Sequence, residues 1–493
     1  MHPFRRSDDS RPLRLILPTT AAAVFTFAAA PAGVAAASEA PKSHHAPAAS
    51  PPAPPGGKGK AGKGGKPSGG SPPSGHGPSS GDGGIGPGGT GSTTAVSGRG
   101  ALSASAGSLR KTGGSIRAAS LDESGVLAKD SSTLTLEGVT VSTTGASSSS
   151  DDSSFYGLDA GVLAFSGASI EETGGSVSTT GAGANGVFSY GSGSKITIAK
   201  TTITATGQYA HGIMASGGGA ITADDLDVHT SGASSASIAT DRGGGTITVV
   251  GGTYTTKGRN SPGIYSTGSI EVSDATIEAI GAEAAVIEGS NSVTVHDSEL
   301  TGTVNRGVMI YQSFSGDAGG DDGVFSETGG SLRAASGPLF FVTNATGTIN
   351  LKGVRLTAVS GVLLDAAAST WGTSGSNGGD ATLNASGETL NGSVEVDGVS
   401  RAVVRLVDDS HLTGAINAAD TAKSATLALD GSSWWTVTGT SHLTVVEDRA
   451  GISGSTVTNI DGDGHTVTYD KAANPSLDGR TYRLVGGGTL TPA

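Results

Sequence analysis

Two Gly- and Ser-rich inserts, residues 311–323 and 365–380, carry aromatic and acidic side chains of the kind that binding sites use. The residues that we expect to take part are Tyr311, Phe314, Asp317, Asp321, Asp322 and Trp371. Aromatic rings provide flat apolar surfaces for a sugar ring or a partner protein, and carboxylates accept hydrogen bonds. The alternative is that both inserts are solvated connections without a binding function.

Acidic doublets suggest a second kind of chemistry, the cleavage of polysaccharides. The doublets are Asp151-Asp152, Asp224-Asp225, Asp321-Asp322 and Asp408-Asp409. Glycosidases need two carboxylates that converge on one glycosidic bond, but these doublets fall at different points of the repeat described below. The sequence also lacks the motifs of serine proteases, zinc proteases and phosphate-binding loops. We therefore predict no catalytic residue, no cofactor and no enzyme activity, with a polysaccharide lyase or hydrolase as the alternative.

One spacing near the C-terminus matches a calcium-binding loop. Asn459, Asp461, Asp463, Gly464 and Asp470 occupy the positions of its oxygen ligands and of its glycine. The flanking residues alternate like strands rather than helices, and a hairpin turn around Gly464 explains the same residues. We therefore predict no metal site.

Composition limits the fold and the classes of partner. Only 35% of the 493 residues are hydrophobic and 4% are aromatic, whereas 82 are glycine, which favours a thin, elongated fold over a globular core. The absence of cysteine excludes disulfides and cysteine-based metal sites. A formal net charge of −13 argues against nucleic acid as a partner.

The first 97 residues are expected to precede the folded part. Residues 1–37 are typical of a signal peptide, with arginines, an apolar stretch and a small-residue cleavage site at Ala35 to Ala37. Residues 38–97 are rich in Pro, Gly, Ser and Ala, which predicts a disordered linker. We expect an exported protein, secreted or held at a bacterial cell surface, without a transmembrane helix.

The elements that position the inserts follow from an internal repeat of about two dozen residues. Eleven pairs of large apolar residues are separated by seven positions: Leu109/Ile116, Leu134/Val141, Ile170/Val177, Ile196/Ile203, Ile221/Val228, Ile247/Tyr254, Ile270/Ile277, Val293/Leu300, Phe325/Leu332, Ile349/Leu356 and Leu383/Leu390. A third apolar residue usually follows ten positions later. Residues around these positions alternate as in strands, and an odd spacing requires a bend between the two members of a pair. The sequence therefore predicts an all-β fold, a right-handed, single-stranded parallel β-helix (solenoid) over residues 98–400.

Three intervals between coils are long and predict loops at residues 146–159, 311–323 and 365–380. The last two leave the same corner of the coil, two coils apart. The spacing of strands puts their roots roughly 10 Å from each other. We expect these two loops to form one patch in which Tyr311, Phe314 and Trp371 are apolar platforms.

The C-terminal part resembles a known family. Ser433 to Gly439 (SWWTVTG) is followed by Ser441-His442-Leu443, and the chain closes with Tyr482 to Gly488 (YRLVGGG). These runs resemble the pertactin-like passenger region of bacterial autotransporters, in which a Ser-x-Trp-x-Val-x-Gly-x-Ser-x-Leu run closes the β-helix. The resemblance implies that residues 401–493 form the end and cap of a β-helix whose relatives are commonly adhesins. It also implies a translocator barrel, for which we expect no room in this chain.

Together these patterns predict an exported adhesin or binding scaffold that uses loops on the rod. The expected partners are glycans or the surface of a host or neighbouring cell. A structural envelope protein that self-associates along the faces of its rod is a further alternative.

Overall fold

The computed structural model describes residues 98–493, so the predicted signal peptide (1–37) and disordered linker (38–97) lie outside the described residues. The described part is a parallel β-solenoid of about 16 turns in which strands dominate. It contains one α-helix, α1 (Ser150–Tyr156), and one 3₁₀ turn (Pro475–Leu477).

The strands are short and follow one another around the coil. The first fourteen are β1 (Arg99–Ala104), β2 (Ser108–Thr112), β3 (Ser115–Ala118), β4 (Glu123–Ala128), β5 (Thr133–Thr143), β6 (Val162–Phe165), β7 (Ser169–Thr179), β8 (Val187–Tyr190), β9 (Lys195–Ala199), β10 (Thr202–Ala205), β11 (Ile213–Ser216), β12 (Gly219–Thr230), β13 (Ile238–Asp241) and β14 (Gly245–Thr256). The next fourteen are β15 (Ile264–Ser266), β16 (Ser269–Ser273), β17 (Thr276–Ala279), β18 (Ala285–Glu288), β19 (Ser292–His296), β20 (Glu299–Gly302), β21 (Val308–Tyr311), β22 (Asp322–Thr328), β23 (Ser331–Ala334), β24 (Phe340–Thr343), β25 (Ala345–Lys352), β26 (Arg355–Ala358), β27 (Val362–Ala366) and β28 (Gly379–Ser386). The last thirteen are β29 (Thr389–Asn391), β30 (Ser393–Val396), β31 (Arg401–Val407), β32 (His411–Gly414), β33 (Ser424–Leu429), β34 (Trp434–Val437), β35 (Ser441–Leu443), β36 (Val445–Glu447), β37 (Ile452–Ser453), β38 (Thr456–Asp461), β39 (Thr466–Tyr469), β40 (Tyr482–Val485) and β41 (Thr489–Pro492).

Three sheets form the sides of the solenoid. Sheet A contains twelve strands in the order β1-β4-β6-β8-β11-β13-β15-β18-β21-β24-β27-β30. Sheet B contains twenty strands, which supply the first and second strands of most coils, and sheet C contains nine strands from β29 onward. Neighbouring coils pair in parallel, whereas β37–β38 and β40–β41 pair antiparallel near the C-terminal end.

The predicted repeat is confirmed by burial. Paired residues such as Ile196 and Ile203 are at most 1% exposed, and the third strand adds Val187 and Ile213 to the same core. Leu109 and Leu356 depart from this rule because they are only partly buried. The expected bend between paired positions is present as a residue of positive φ, for example Gly138 at 59° and Asp225 at 51°. Because aspartate adopts this conformation more readily than most residues, the Asp224-Asp225 doublet belongs to a bend.

Asp159 places a buried acid at a corner of the solenoid. Two coils that continue the same sheet place serine at this position, and each serine hydroxyl donates to a glycine carbonyl of the coil before it. Ser235 donates to Gly207 at 3.1 Å and Ser261 to Gly232 at 2.8 Å. Asp159 is fully buried, and neither of its carboxylate oxygens has a hydrogen-bond partner. Burial, and next the charges of Asp122 and Glu123, raise its pKa to about 7.

Replacing Asp159 by serine is expected to stabilise the rod by about 1–3 kcal/mol at pH 8 and by less at pH 5. The native pKa lies above the ordinary value, so the folded state loses stability as pH rises from about 4 to about 7, where the unfolded chain releases this proton and the folded state still holds it. Serine does not ionise and can repeat the hydrogen bond of Ser235. Thermal unfolding of both proteins at the two pH values measures the effect. An equal effect at both values would contradict this explanation.

Candidate functional site

All three predicted loops lie over the outer face of sheet A. The first loop (residues 146–159) connects β5 to β6 and so starts at the N-terminal ends of the strands of sheet A. Its helix α1 crosses the sheet to the C-terminal end of β11, where the Phe155 carbonyl accepts the hydroxyl of Ser216 at 2.7 Å. The helix is capped at its N-terminus by Ser149, whose hydroxyl accepts the N–H of Asp152, and at its C-terminus by Gly157 with φ 79°. The second loop (311–323) and third loop (365–380) start at the C-terminal ends of the strands, where the chain passes from sheet A to sheet B.

The outer face of sheet A is itself apolar. Leu127, Leu163, Phe188, Met214 and Ala239 are register partners on successive strands, and each is at most 1% exposed although it points away from the solenoid core. The first loop covers them and forms a second, smaller apolar cluster. Sequence reasoning missed this face. The available signal was that the third strand of several coils carries consecutive apolar residues, which indicates burial on both sides.

The second and third loops bring three aromatic residues together. The ring centroids of Tyr311 and Trp371 are 5.3 Å apart, and those of Phe314 and Trp371 are 5.8 Å apart, both in tilted arrangements. Phe314 is 68% exposed, Trp371 is partly buried and Tyr311 is 9% exposed. Tyr311, Phe314 and Trp371 are called the aromatic platform below, with Tyr311 as its base and the other two rings as its accessible surface.

Glu288 holds the second loop against sheet A. Its carboxylate accepts the hydroxyl of Tyr311 at 2.8 Å and that of Ser315 at 3.2 Å, and it also accepts the hydroxyls of Tyr265 and Ser313. Burial first, with a contribution from the Glu288 charge, raises the pKa of both tyrosines. Both therefore remain protonated donors. Glu288 is 1% exposed, so these four hydroxyls, rather than water, satisfy its carboxylate oxygens.

Arg242 links the first loop to the second. Its Nε donates to Asp317 Oδ1 at 2.8 Å, and its guanidinium lies over the Phe155 ring, 3.6 Å from the centroid. Asp317 therefore anchors the loop instead of facing a ligand. Neighbouring Asp241 is buried, and burial together with the Asp317 charge raises its pKa to about 8. Asp241 is mostly neutral at pH 7 and adds little repulsion to this ion pair.

The remaining predicted acids lie at the edge of the patch. Asp321 borders an open groove of about 470 Å³ between the roots of the second and third loops. The opposite wall carries Lys423 and the ion pair of Arg401 with Asp380, whose atoms are 3.0 Å apart. Asp322 is exposed, and its N–H donates to the Ser290 hydroxyl at 3.2 Å. The structure thus divides the six predicted residues into an aromatic platform, one anchor and two acids at the groove side.

The calcium-like spacing belongs to a corner of the solenoid. Residues 456–461 (β38) and 466–469 (β39) do not pair with each other, because β38 pairs with β34 and β40 while β39 pairs with β35 and β41. The hairpin that the sequence suggested is therefore wrong: the turn joins consecutive sides of one coil. Asp461 accepts the N–H of Asp463, whereas Asp470 accepts those of Ala472 and Ala473.

Comparison with known proteins gave no match: neither a protein-family model, nor a curated protein, nor a solved structure is similar to this chain. Within residues 98–493, no helix has the length and apolar character required to cross a bilayer. The geometry of the site therefore carries the functional argument.

Proposed function

We propose that this chain is an exported adhesin or binding scaffold that holds its ligand on the aromatic platform. The observation that carries the proposal is the convergence of Phe314 and Trp371. They come from loops separated by two coils, and a buried anchor, Glu288, fixes one of these loops. Because the loop is fixed, the ring of Phe314, which is 68% exposed, presents a stable apolar surface of the kind that marks binding sites.

Binding fits this site better than hydrolysis does. The two carboxylates beneath the second loop, Asp241 and Glu288, are 7% and 1% exposed, and Glu288 is fully engaged by hydroxyl donors. A glycosidase requires accessible carboxylates on both sides of the bond that it cleaves. The exposed acids, Asp321 and Asp322, are sequence neighbours on one side of the groove, and Asp380 in the groove is paired with Arg401. The accessible surface otherwise offers aromatic rings. We therefore propose a glycan, or the glycan-bearing surface of a host or neighbouring cell, as the ligand.

We further propose that the chain is a passenger of the pertactin-like kind, delivered to the outside of a bacterial cell. Support comes from the C-terminal run, in which Trp435 is fully buried and its indole N–H donates to the Gly414 carbonyl at 2.9 Å. The antiparallel pair β40–β41 then covers the end of sheet C. Such an arrangement suits the closing of a β-helix, whose last coil would otherwise expose an open edge.

Replacing Phe314 and Trp371 together by alanine is expected to weaken attachment at least tenfold, because truncating central aromatic residues usually costs more than 1 kcal/mol each. The measurement is saturable retention of the labelled full chain on immobilised polysaccharides and on intact bacterial and epithelial cells. Thermal unfolding should change little, because Phe314 is 68% exposed and Trp371 is only partly buried.

Trp434→Ala is the matched control, since it removes a partly buried tryptophan from sheet C. It should attach like the unchanged protein. The proposal fails if the double variant binds every surface as tightly as the unchanged chain, or if the unchanged chain shows no saturable attachment.

A further inference from the structure

Aromatic residues are concentrated on one face of the rod. The chain has only 3 tryptophans, 8 tyrosines and 10 phenylalanines, yet ten of these residues lie on or over the outer face of sheet A. The ten are Phe155, Tyr156, Phe165, Phe188, Tyr190, Tyr265, Tyr311, Phe314, Phe341 and Trp371. Solenoid packing requires apolar residues inside the coil, so this external concentration needs another explanation.

A second, partly exposed cluster lies at the first loop. Tyr156 and Tyr190 meet edge to face with ring centroids 5.2 Å apart, and Phe165 is the register partner of Tyr190 on the neighbouring strand. Phe155 completes the group beside Arg242. All four side chains are partly exposed. We call these four residues the second aromatic cluster.

The second aromatic cluster and the aromatic platform lie on one straight line. Tyr190 and Tyr311 close strands β8 and β21, which are five strand spacings apart in sheet A, about 24 Å. Parallel strands in register keep this line along the rod axis. On the line between the two groups the strand ends are polar, with Ser216, Asp241 and Glu288 in register. The Arg242–Asp317 pair beside them is 27% and 14% exposed.

We infer that the second aromatic cluster is a second binding subsite and that the ligand is a long polysaccharide chain laid along the rod across both groups. The inference rests on the proposed function of the aromatic platform. Aromatic rings stack on the apolar faces of sugar rings, and the partly exposed guanidinium of Arg242 between the two groups has more N–H donors than its bond to Asp317 uses. A peptide strand would need a free sheet edge to pair with, but neighbouring coils occupy both edges of the inner strands of sheet A.

The dependence of affinity on the length of the polysaccharide distinguishes one binding subsite from two. The full-length protein is titrated with amylose, dextran, xylan and polygalacturonate, each as a long polymer and as its trimer. Two linked contacts raise affinity without new interactions at either one, so the bound polymer should bind at least tenfold tighter per chain than its trimer. Tyr156→Ala combined with Tyr190→Ala should remove this advantage and leave only the trimer binding of the aromatic platform, whereas Phe314→Ala with Trp371→Ala should remove that trimer binding and weaken polymer binding. Tyr209→Ala, at another corner of the coil, is the matched control.

A measurement on the unchanged protein guards against misfolding of the tyrosine variant. Polymer should slow chymotryptic cleavage after Phe155 and Tyr156 at least tenfold more effectively than the trimer at the same molar concentration of chains. Equal affinity for trimer and polymer, or unprotected Phe155 and Tyr156, would overturn the two-subsite inference. Retention of none of the four polymers would overturn the polysaccharide assignment, whereas cell attachment that depends on Phe314 and Trp371 would still support the proposed function.

Discussion

Replacing Glu288 by alanine is expected to reduce attachment about as strongly as removing the aromatic platform itself. The carboxylate accepts four hydroxyls, two of which belong to Ser313 and Ser315 on the second loop. Without it, the buried hydroxyls of Tyr265 and Tyr311 lose their acceptor, which costs roughly 1–3 kcal/mol for each group. The second loop should detach from sheet A and carry Phe314 away from Trp371.

Two readouts separate this effect from general unfolding. Attachment should fall at least tenfold, and chymotrypsin should cleave after Phe314 faster than in the unchanged protein. Glu288→Gln keeps one acceptor oxygen, so its attachment and its cleavage rate should lie between those of Glu288→Ala and the unchanged protein. Glu278→Ala removes an exposed carboxylate from sheet B and serves as the control. If cleavage after Phe314 is as slow in Glu288→Ala as in the unchanged chain, Glu288 does not hold the loop.

Replacing Glu172 by leucine should stabilise the rod strongly above pH 7. Glu172 points into the solenoid core between Leu136 and Ile198, is 1% exposed, and has no hydrogen-bond partner for either carboxylate oxygen. Burial raises its pKa from 4.5 to about 8. The folded state thus holds this proton more tightly than the unfolded chain, so stability falls as pH rises from about 4.5 to about 8 and is then constant.

The expected gain at pH 8 is on the order of 3–5 kcal/mol, and it should shrink toward pH 5. Unfolding curves of both proteins across this pH range measure the difference. The control is Glu171→Leu on the same strand, because Glu171 is exposed on the opposite face and should show no such pH dependence. Glu327, whose pKa burial also raises to about 8, is unchanged in both proteins, so only the difference between variants is informative. A pH-independent gain would show that the pKa of Glu172 is not raised in the folded state.

The sequence predicted the solenoid because its rule is local. Ile196 and Ile203 point inward, the residues between them supply a bend, and every coil repeats this arrangement. It also predicted that the second and third loops share a corner, since their long intervals follow the same strand of the coil. A shared corner predicts Phe314 and Trp371 in one patch, and their ring centroids are 5.8 Å apart.

What supports this patch could not be read from the same rule. Glu288 and Arg242 occupy ordinary outward positions at strand ends, and nothing in their neighbourhood along the chain shows that loops 25 and 75 residues away return to them. The covered face of sheet A was hidden for another reason. The alternation of residues along a strand predicts that outward side chains contact solvent. It therefore does not predict that Phe188 and Met214 are fully buried. Glu172 breaks the rule outright, with an acid at an inward position.

The most direct test of ligand binding at the aromatic platform is oxidative footprinting of the full chain, with and without the polysaccharide that the protein binds most tightly. Hydroxyl radicals modify exposed aromatic rings, and mass spectrometry reports the modification residue by residue. If the ligand binds the aromatic platform, saturating ligand should protect Phe314 and Trp371 from oxidation and leave the oxidation of Trp434 in sheet C unchanged. Oxidation of Phe314 and Trp371 at an unaltered rate in the saturated complex would contradict it, because the ligand would then bind elsewhere on the rod.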